Sequence, residues 1–258
     1  MLANENLDLD LEGWGKKIVQ EMYEDGMIPT WYRDKPEGWK LASGLWSPYY
    51  INLRLLSSKP KLYRMVGYTM GRMLKDIGFE PYSKYKVVGV AMAGIPIADA
   101  VSLMHEIPAL YTRKLPEDVK TEEHLKNWVG AHGQHALVEG DMESGDRLAI
   151  VDDLVTKFTS IALAISQVKQ EIERRKLADV TLKDVIVLLD REQGAAETAR
   201  ELGYNLRAVI PFISKGLGWL KDSLTRVEYE TIIAYNNNVE LYQDPLIQKK
   251  LKEAAQKK

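Results

Sequence analysis

Two spacings of hydrophobic residues alternate along the middle of the chain. In some segments apolar residues recur every three or four positions, which predicts amphipathic helices, and in others they run continuously, which predicts buried strands. Because continuous apolar strands separated by helices are typical of a parallel sheet covered on both faces, the pattern predicts an α/β fold. The predicted helices are 59–78, 95–104, 160–173 and 195–202, and the predicted strands are 86–91, 108–112, 147–151, 184–189 and 206–210.

The connections between these strands predict where a ligand binds. Right-handed crossovers align the carboxyl ends of parallel strands along one edge of the sheet. Ligands of open α/β sheets bind outside that edge. The residues that directly follow each predicted strand are therefore the first candidates for a functional site.

The two ends of the chain lie outside this alternation. We expect a core at 41–215, preceded by an N-terminal extension at 1–40 and followed by a C-terminal extension at 216–258 that packs on the core. The last ten residues, KKLKEAAQKK, predict a solvated or fraying helix, and a tail that binds nucleic acid is the less favoured alternative.

Composition excludes several classes of protein. The 258 residues carry a formal net charge of −2, so no global basic field attracts nucleic acid. The chain has no cysteine, which excludes disulfides, thiolate metal sites and a cysteine nucleophile. Its most apolar stretch, Val87–Ala98, is shorter than the roughly 20 residues of a membrane-spanning helix. Since the N-terminus is acidic and unlike a secretory signal, we expect a cytoplasmic protein without a membrane partner.

The segment with the clearest chemical pattern is Leu148–Ser160, LAIVDDLVTKFTS. An apolar strand ends in two adjacent acids, Asp152 and Asp153, and a hydroxyl-containing turn then leads into a helix. Such a turn can present N–H groups, hydroxyls and a helix N-terminus to a phosphate, while the acids can accept hydrogen bonds from sugar hydroxyls and help hold Mg²⁺. The residues alone leave open a plainer interpretation, in which solvated acids end a strand and a Thr or Ser caps a helix.

This segment resembles the phosphoribosyl pyrophosphate motif of the type I phosphoribosyltransferases. Three further segments narrow the resemblance to the orotate phosphoribosyltransferases, and all four occur in that family's order. They are LASGLWSPYYINLR at Leu41–Arg54, VVGVAMAGIPIA at Val87–Ala98 and DREQG at Asp190–Gly194. The resemblance implies a parallel-sheet fold with helices on both faces and a small hood formed by the N-terminal segment. It also implies a homodimer that uses Mg²⁺ to convert orotate and phosphoribosyl pyrophosphate into orotidine 5′-monophosphate and pyrophosphate.

The resemblance assigns roles to individual residues. Asp152 and Asp153 would contact the ribose hydroxyls as charge builds at the anomeric carbon, and would help hold Mg²⁺. Arg191 would bind the orotate carboxylate with two hydrogen bonds. The residues implied at the pyrophosphate are Ala91, Met92, Ala93 and Gly94; those at the 5′-phosphate are Thr156, Lys157, Phe158, Thr159 and Ser160; those near orotate are Ser43, Gly44, Tyr49 and Tyr50.

Each of these assignments has a structural alternative. The small residues at 91–94 also suit tight packing of a helix on a strand, although we expect Gly94 to adopt a conformation that other residues resist. An arginine at position 191 often forms a surface ion pair, here with Glu192 or Asp190. Adjacent aromatic residues such as Tyr49 and Tyr50 lie in a core more often than against a ligand.

The resemblance also implies a mobile catalytic loop after the strand that ends at Thr112. Arg113 and Lys114 match the first two basic residues of that loop, and His132 matches its last histidine. The charged segment that follows Lys114 and ends with His132 and Gly133, residues 115–133, is called the lid here, and it resembles a lid that samples open and closed states. An ordinary exposed loop or a short charged helix is the alternative. A zinc site at His132 and His135 is not expected, because no third ligand is apparent.

Three positions depart from the family pattern. Phe158 replaces the usual glycine of the phosphate loop, and a left-handed backbone there would cost a phenylalanine about 1–2 kcal/mol. Its bulk would also obstruct phosphate, unless Lys157 compensates with a direct charge contact. Gly130 replaces a lysine of the lid, which leaves Lys120 or Lys126 as displaced substitutes, and Ala42 replaces a lysine that Lys40 neighbours.

These departures keep two other functions open. One is a ligand sensor of the same fold that binds phosphoribosyl pyrophosphate without turnover. The other is a phosphoribosyltransferase for a different base. Arg191 discriminates between the bases, because its loss would affect an orotate enzyme far more than a purine enzyme.

Overall fold

The computed structural model describes residues 9–41, 43–80, 84–132 and 136–257, with the backbone alone at 131 and 132. The helices are α1 (Leu11–Glu24), α2 (Pro60–Asp76), α3 (Gly94–His105), α4 (Glu122–His132), α5 (Thr159–Arg175), α6 (Ala195–Glu201), α7 (Leu217–Trp219), α8 (Arg226–Asn237) and α9 (Pro245–Gln256). The strands are β1 (Trp39–Lys40), β2 (Trp46–Ser47), β3 (Tyr85–Gly89), β4 (Ala109–Thr112), β5 (Val138–Glu139), β6 (Arg147–Val155), β7 (Thr181–Asp190) and β8 (Asn205–Pro211). Short helical segments of other types span Leu53–Ser58, Phe212–Gly216 and Glu240–Gln243.

A six-stranded sheet in the order β5-β4-β3-β6-β7-β8 forms the centre of the molecule. The five strands from β4 to β8 in this order are parallel, and β5 runs antiparallel at the edge beside β4. The short strands β1 and β2 form a separate antiparallel pair. The structure therefore confirms the predicted α/β class.

The two faces of the sheet carry separate hydrophobic clusters, because successive strand side chains point to opposite sides. Val87, Val151 and Ile186 face the cluster that includes α1, α2 and α3. Val88 and Ile150 belong to the opposite cluster, which α5 and α6 cover. This burial on both faces explains why the strands read as continuous apolar runs.

All predicted strands and helices of the middle of the chain are present, with one shift that affects the site. Strand β6 continues through the acid pair to Val155, whereas the sequence predicts an end at Val151. The longer strand is stabilised by pairing with β7, where Asp152 lies opposite Val187 and Val155 opposite Asp190. The two acids therefore lie on a strand and not in a loop.

The N-terminal and C-terminal segments pack against each other on one side of the sheet. The Thr30 hydroxyl donates a hydrogen bond to the Glu228 carboxylate, and Trp31 Nε1 donates to the carbonyl of Leu251 at 3.2 Å. Helix α9 is part of this packing, since Ala255 is buried near its end. The predicted terminal helix is present and extends to Gln256, and most of its described side chains after Gln248 are exposed, as expected of a solvated helix. In the portion of the chain that the structure describes, no helix is long and apolar enough to cross a bilayer.

Candidate active site

Four loops meet at the carboxyl edge of the sheet. The loop after β3 is tied to β6 and β4, because Val90 N donates to the carbonyl of Val151 and Ala91 N to the Thr112 hydroxyl, both at 3.0 Å. The loop after β7 is tied to the end of β6 by a 3.0 Å bond from Arg191 N to the carbonyl of Val155. The segments that the sequence singles out are thereby brought to one edge, as the crossover rule predicts.

The acid pair lies in the middle of this edge and is poorly solvated. Asp152 is buried, and its Oδ1 accepts a hydrogen bond from Asp153 N at 2.9 Å. Burial raises the pKa of Asp152 well above its usual value, and the neighbouring charge of Asp153 raises it further. Burial also raises the pKa of Asp153, while the Leu154 N–H and the nearby charge of Arg54 act in the opposite direction. Both carboxylates would therefore gain from a cationic ligand or from hydroxyl donors.

Gly94 begins α3 and lies directly against the acid pair. A Cβ at this position would come within 2.5 Å of the Val151 carbonyl oxygen and 3.0 Å of Asp152 Oδ1. The backbone conformation is ordinary, because Gly94 has no positive φ. The expectation of an unusual conformation at Gly94 is thus wrong, and close approach is the reason for the glycine.

Three hollows surround the acid pair and the loop at 91–94. A cavity of about 210 Å³ is lined by Asp153, Arg54, Met92 and Ala93, among others. A second, of about 180 Å³, shares Asp153 and Arg54 and is bordered by Tyr50. The third, of about 240 Å³, brings together Ala91, Thr112, Arg113, Lys114 and Ser160. The structure therefore places the predicted pyrophosphate loop between the acids and the basic pair.

Phe158 occupies the left-handed backbone region, with φ 65° and ψ −5°, where the family pattern has glycine. Its side chain is only 1% exposed and packs in the cluster beneath α5, with its ring 6.2 Å from that of Tyr204. The expectation that the ring obstructs phosphate is therefore wrong, because the side chain points into the core. Only the backbone of Phe158 remains available to a phosphate.

The rest of the phosphate loop faces outward. Lys157, Thr159 and Ser160 are exposed, and Thr156 is half-buried. Helix α5 begins at Thr159 without a side-chain cap, so the amides of its first turn point out of the helix without intrahelical acceptors. An exposed lysine, two hydroxyls and a helix N-terminus form a suitable surface for an anion.

Much of the lid is helical, which is the alternative that the sequence leaves open. Helix α4 contributes Leu125 and Trp128 to a small hydrophobic cluster in which Val119, Leu125 and Leu137 are buried, with Trp128 and Leu163 packed against them. The substitute lysines are exposed, and Lys126 pairs with Glu122 at 2.8 Å within the helix. The side chain of His132 and the whole of Gly133 and His135 lie outside the described residues, so the roles expected of them stay predictions.

Both ends of the lid are held by α5. Arg113 N donates to the carbonyl of Leu137 at 2.9 Å, which closes the segment at its neck. Gln167 Nε2 donates to the Arg113 carbonyl, and Glu171 Oε2 accepts from Leu137 N, both at 2.9 Å. Gln167 and Glu171 are buried and one helical turn apart on α5. Sequence reasoning missed both residues, because nothing in the local pattern identifies a contact across 54 and 34 positions.

Arg191 lies at the end of β7 with only 9% of its surface exposed. Its Nη2 donates to the Tyr49 hydroxyl at 3.4 Å, and its guanidinium carbon lies 5.4 Å from the centre of that ring. Its buried Nε has no partner, and among the described residues no carboxylate forms an ion pair with it. Asp190 accepts instead from Glu192 N at 2.7 Å, so the alternative of a surface ion pair is wrong. A buried, unneutralised guanidinium is suited to an anionic ligand.

The remaining residues expected near orotate divide into buried and exposed groups. Tyr49 is fully buried, with its ring stacked on Phe212 at 5.5 Å. It therefore lies in the core and contacts Arg191, instead of bordering the base as expected. Tyr50 is half-exposed and stacks on Trp39, with ring centres 6.4 Å apart. Ser43 and Gly44 are exposed in the turn between β1 and β2.

Arg54 is a site residue that sequence reasoning left unassigned. It lines two of the three hollows and lies close enough to Asp153 to lower the pKa of that carboxyl. A signal exists in the sequence, since Arg54 ends the first of the four family-like segments. Its helical turn, Leu53–Ser58, places it opposite the loop at 91–94.

The donor set suits a magnesium ion only together with substrate oxygens. In the ranges that the structure describes, no cluster of three or more His, Asp or Glu side chains could hold a metal by itself. Mg²⁺ in phosphate-transfer sites takes one or two carboxylates and completes its shell with water and phosphate oxygens. Two crowded carboxylates, both with raised pKa values, match that partial shell.

Comparison with known proteins agrees with this geometry. The chain is 32% identical to an orotate phosphoribosyltransferase of Methanosarcina mazei over 174 residues, which cover 67% of this chain and 78% of the relative. A solved orotate phosphoribosyltransferase of Aeropyrum pernix is 27% identical, with a TM-score of 0.57 over 78% of this chain and 98% of that one. The UMP synthase of Leishmania donovani, at 24% identity, shares the fold with a TM-score of 0.66. This match covers 87% of the chain and 42% of the synthase.

No protein-family model matches the chain. The identity to the Methanosarcina mazei relative, over most of both sequences, nevertheless establishes the relationship. The same conclusion follows from the four motifs and from the sheet edge that gathers them. The chain belongs to the orotate phosphoribosyltransferase family.

Proposed function

We propose that this protein transfers the phosphoribosyl group of phosphoribosyl pyrophosphate to orotate, giving orotidine 5′-monophosphate and pyrophosphate. The observation that carries the proposal is Arg191, a buried guanidinium without a carboxylate partner in the described part of the chain. It lies at the same sheet edge as the acid pair and the phosphate loop. Orotate carries a planar carboxylate, for which a guanidinium offers two parallel hydrogen bonds.

The phosphates of the substrate would occupy two separate places. The 5′-phosphate would lie at the start of α5, where Thr156, Thr159 and Ser160 offer hydroxyls and Lys157 offers a charge. The pyrophosphate would lie along the backbone of 91–94. In the hollow shared by Ala91, Arg113, Lys114 and Ser160, the two basic side chains would neutralise the leaving group.

Between these places the acid pair would act on the ribose. As the bond from the anomeric carbon to the pyrophosphate oxygen breaks, its electron pair leaves with pyrophosphate, and a base nitrogen supplies the pair for the new glycosidic bond. Asp152 and Asp153 would accept hydrogen bonds from the ribose hydroxyls and stabilise the positive charge at the anomeric carbon. Mg²⁺, held by these carboxylates and substrate oxygens, would neutralise pyrophosphate charge.

Closure of the lid would exclude water from this reaction. Arg113 and Lys114 directly precede the lid and line the hollow beside Ala91, so closure would cover both side chains and the pyrophosphate next to them. We also propose a homodimer, in which His132 and the neighbouring lid residues serve the partner's site. The division into 1–40, 41–215 and 216–258 likewise remains a proposal. Light scattering and limited proteolysis test these two points.

The decisive experiment measures orotate consumption by absorbance with phosphoribosyl pyrophosphate and Mg²⁺, alongside a reaction containing a chelator. We expect metal-dependent turnover in the wild type and a fall of about 100-fold or more in kcat/KM for orotate in Arg191→Gln. Arg200→Gln is the matched control, because Arg200 is an exposed arginine on α6. Its kinetics should equal those of the wild type.

Three results would contradict the proposal. Folded protein that binds phosphoribosyl pyrophosphate without turnover would indicate a sensor. Turnover with adenine but not orotate would indicate another base. Equal losses in Arg191→Gln and Arg200→Gln would show that the carboxylate is not recognised by Arg191.

A further inference from the structure

A chain of hydrogen bonds connects Arg191 to helix α8 of the C-terminal extension. Arg191 Nη2 donates to the Tyr49 hydroxyl at 3.4 Å, and that hydroxyl donates to Asn236 Oδ1 at 3.2 Å. Asn236 Nδ2 in turn donates to the carbonyl of Ile232 at 2.9 Å. Three segments that are distant in sequence therefore meet at one guanidinium.

Asn236 determines which group donates and which accepts in this series of hydrogen bonds. The Asn236 amide uses its nitrogen on the backbone of its own helix, which leaves its oxygen to face Tyr49. A tyrosine hydroxyl has one hydrogen, and because Asn236 accepts that hydrogen, a lone pair of the oxygen remains for Arg191. The amide thus decides that the hydroxyl acts as an acceptor toward the guanidinium.

The Tyr49 ring cannot easily give up this position. It is fully buried between two aromatic side chains, stacked on Phe212 at 5.5 Å and edge-on to Tyr235 at 6.0 Å. Helix α8 is itself anchored at its other end, where Thr225 and Glu228 form a capping box and Glu228 accepts from Thr30. The hydroxyl is therefore presented from a rigid support.

The bond to Tyr49 holds one nitrogen of the guanidinium, and its other donors have no partner among the described residues. Nε is buried without a partner among the residues described, and the guanidinium lies over the Tyr49 ring. A bidentate contact requires the plane of the guanidinium to match that of the carboxylate. The hydrogen bond to Nη2 restricts rotation of the guanidinium plane before the ligand binds. Less conformational entropy of the side chain is therefore lost on binding.

We infer that Asn236 is a positioning residue for orotate: acting through Tyr49, it sets the orientation in which Arg191 receives the carboxylate. The inference rests on the proposed function and deepens it, since it assigns part of the specificity to the C-terminal extension. Asn236 does not touch the ligand. Its effect is confined to the binding of orotate and spares the steps that involve phosphoribosyl pyrophosphate.

The kinetic test compares Asn236→Leu and Tyr49→Phe with Asn237→Leu. Leucine matches asparagine in size but lacks the acceptor, and phenylalanine keeps the buried ring. Asn237 is an exposed neighbour on the same helix, so Asn237→Leu controls for the substitution itself. We expect the orotate KM to rise about 5- to 20-fold in each of the first two variants. The KM for phosphoribosyl pyrophosphate and kcat should stay within about 2-fold, and the double variant should be no worse than either single variant.

A spectroscopic test reads the position of Arg191 independently of turnover. In protein labelled with ¹⁵N-arginine, the Nε–H signal of Arg191 is assigned by its absence in Arg191→Lys. We expect that signal to shift and exchange faster with water in Asn236→Leu and Tyr49→Phe, and to stay unchanged in Asn237→Leu. Tyr49→Phe keeps both tests available if Asn236→Leu does not fold.

The outcomes separate the inference from the proposed function. Equal increases in the KM of both substrates, additive effects in the double variant, or an unchanged Nε–H signal would overturn the positioning role. Absence of orotate turnover in the wild type would overturn the proposed function. In that case the arginine signal would still decide whether Asn236 holds Arg191.

Discussion

Replacement of Phe158 by glycine tests how the phosphate loop accommodates its departure from the family pattern. The phenyl ring is 1% exposed, and loss of a buried phenylalanine side chain costs about 3–5 kcal/mol. The φ of 65° is left-handed, so glycine recovers about 1–2 kcal/mol of backbone strain. We therefore expect Phe158→Gly to be less stable than the wild type by about 1–4 kcal/mol. Phe158→Ala loses the ring and keeps the strain, so it should be the less stable of the two.

Urea unfolding followed by tryptophan fluorescence measures these differences, provided that the slope with denaturant is the same in all variants. Phe79 supplies the matched control, because it is fully buried and has no positive φ. At that position glycine should be less stable than alanine by about 0.4–1 kcal/mol, since it adds freedom to the unfolded chain. The order of the glycine and alanine variants should thus be opposite at the two sites.

Two results would refute this reasoning. If Phe158→Gly is as stable as the wild type, the ring does not stabilise the core, although the structure shows it buried there. If the KM for phosphoribosyl pyrophosphate falls more than about 10-fold in Phe158→Gly, the ring obstructs the phosphate after all. We expect that KM to stay within about 3-fold of the wild-type value. A 10-fold change corresponds to about 1.4 kcal/mol of binding free energy, and a ring that is buried away from the phosphate cannot weaken binding by that much.

Three further predictions concern the acids, the lid and the charge of the phosphate loop. Burial raises the pKa of Asp152 above its usual value of 3.8, so the folded protein loses stability as pH rises from 3.8 through the raised pKa. Thermal unfolding with a chelator should therefore show Asp152→Asn to be more stable than the wild type at neutral pH, and this advantage should shrink in acid. The kcat of Asp152→Asn should fall about 100-fold or more. An advantage that grew in acid would contradict the assigned shift. Gln167→Met removes the hydrogen bond to the Arg113 carbonyl, so it should lower the free energy of unfolding by about 1 kcal/mol and speed amide hydrogen exchange in the lid but not in β7. Equal exchange rates of the lid amides in the variant and the wild type would show that Gln167 does not hold the lid. Lys157→Ala should raise the KM for phosphoribosyl pyrophosphate about 3- to 10-fold at low ionic strength and less in 0.5 M salt, and an unchanged KM would exclude a charge contact.

The central sheet and its helices could be predicted from sequence because both faces of the sheet are buried. That burial requires continuous apolar strands and one-sided helices, and both patterns are local. Helices α1, α8 and α9 could not be placed by the same argument, since they contribute to the cluster on one face of the sheet without alternating with strands. The lid helix α4 was equally difficult, because it is highly charged and is stabilised by a cluster that includes Leu163 of α5.

The candidate site shows the same division between local and long-range information. The alternation of strands and helices, joined by right-handed crossovers, is enough to predict that Asp152, Arg191 and the loop at 91–94 lie at one edge. The glycine of the family pattern raises the question of a left-handed backbone at Phe158, but the direction of its side chain depends on the cluster beneath α5. The resemblance implies that Tyr49 lies near the base, whereas burial between Phe212 and Tyr235 decides its place.

The groups that would bind the substrate are packed more extensively than the lid that would cover it. The acid pair lies on a central strand and Arg191 is held by a buried aromatic cluster, so both are part of the main core. Among its described residues the lid contributes two buried side chains, Val119 and Leu125, to a small cluster, and hydrogen bonds with Gln167 and Glu171 hold the residues that flank it. Segments with so few apolar contacts open at low free energy, whereas the core opens only on global unfolding. Opening of the lid can therefore admit substrate and release pyrophosphate while the groups that position the ribose and the base stay in place.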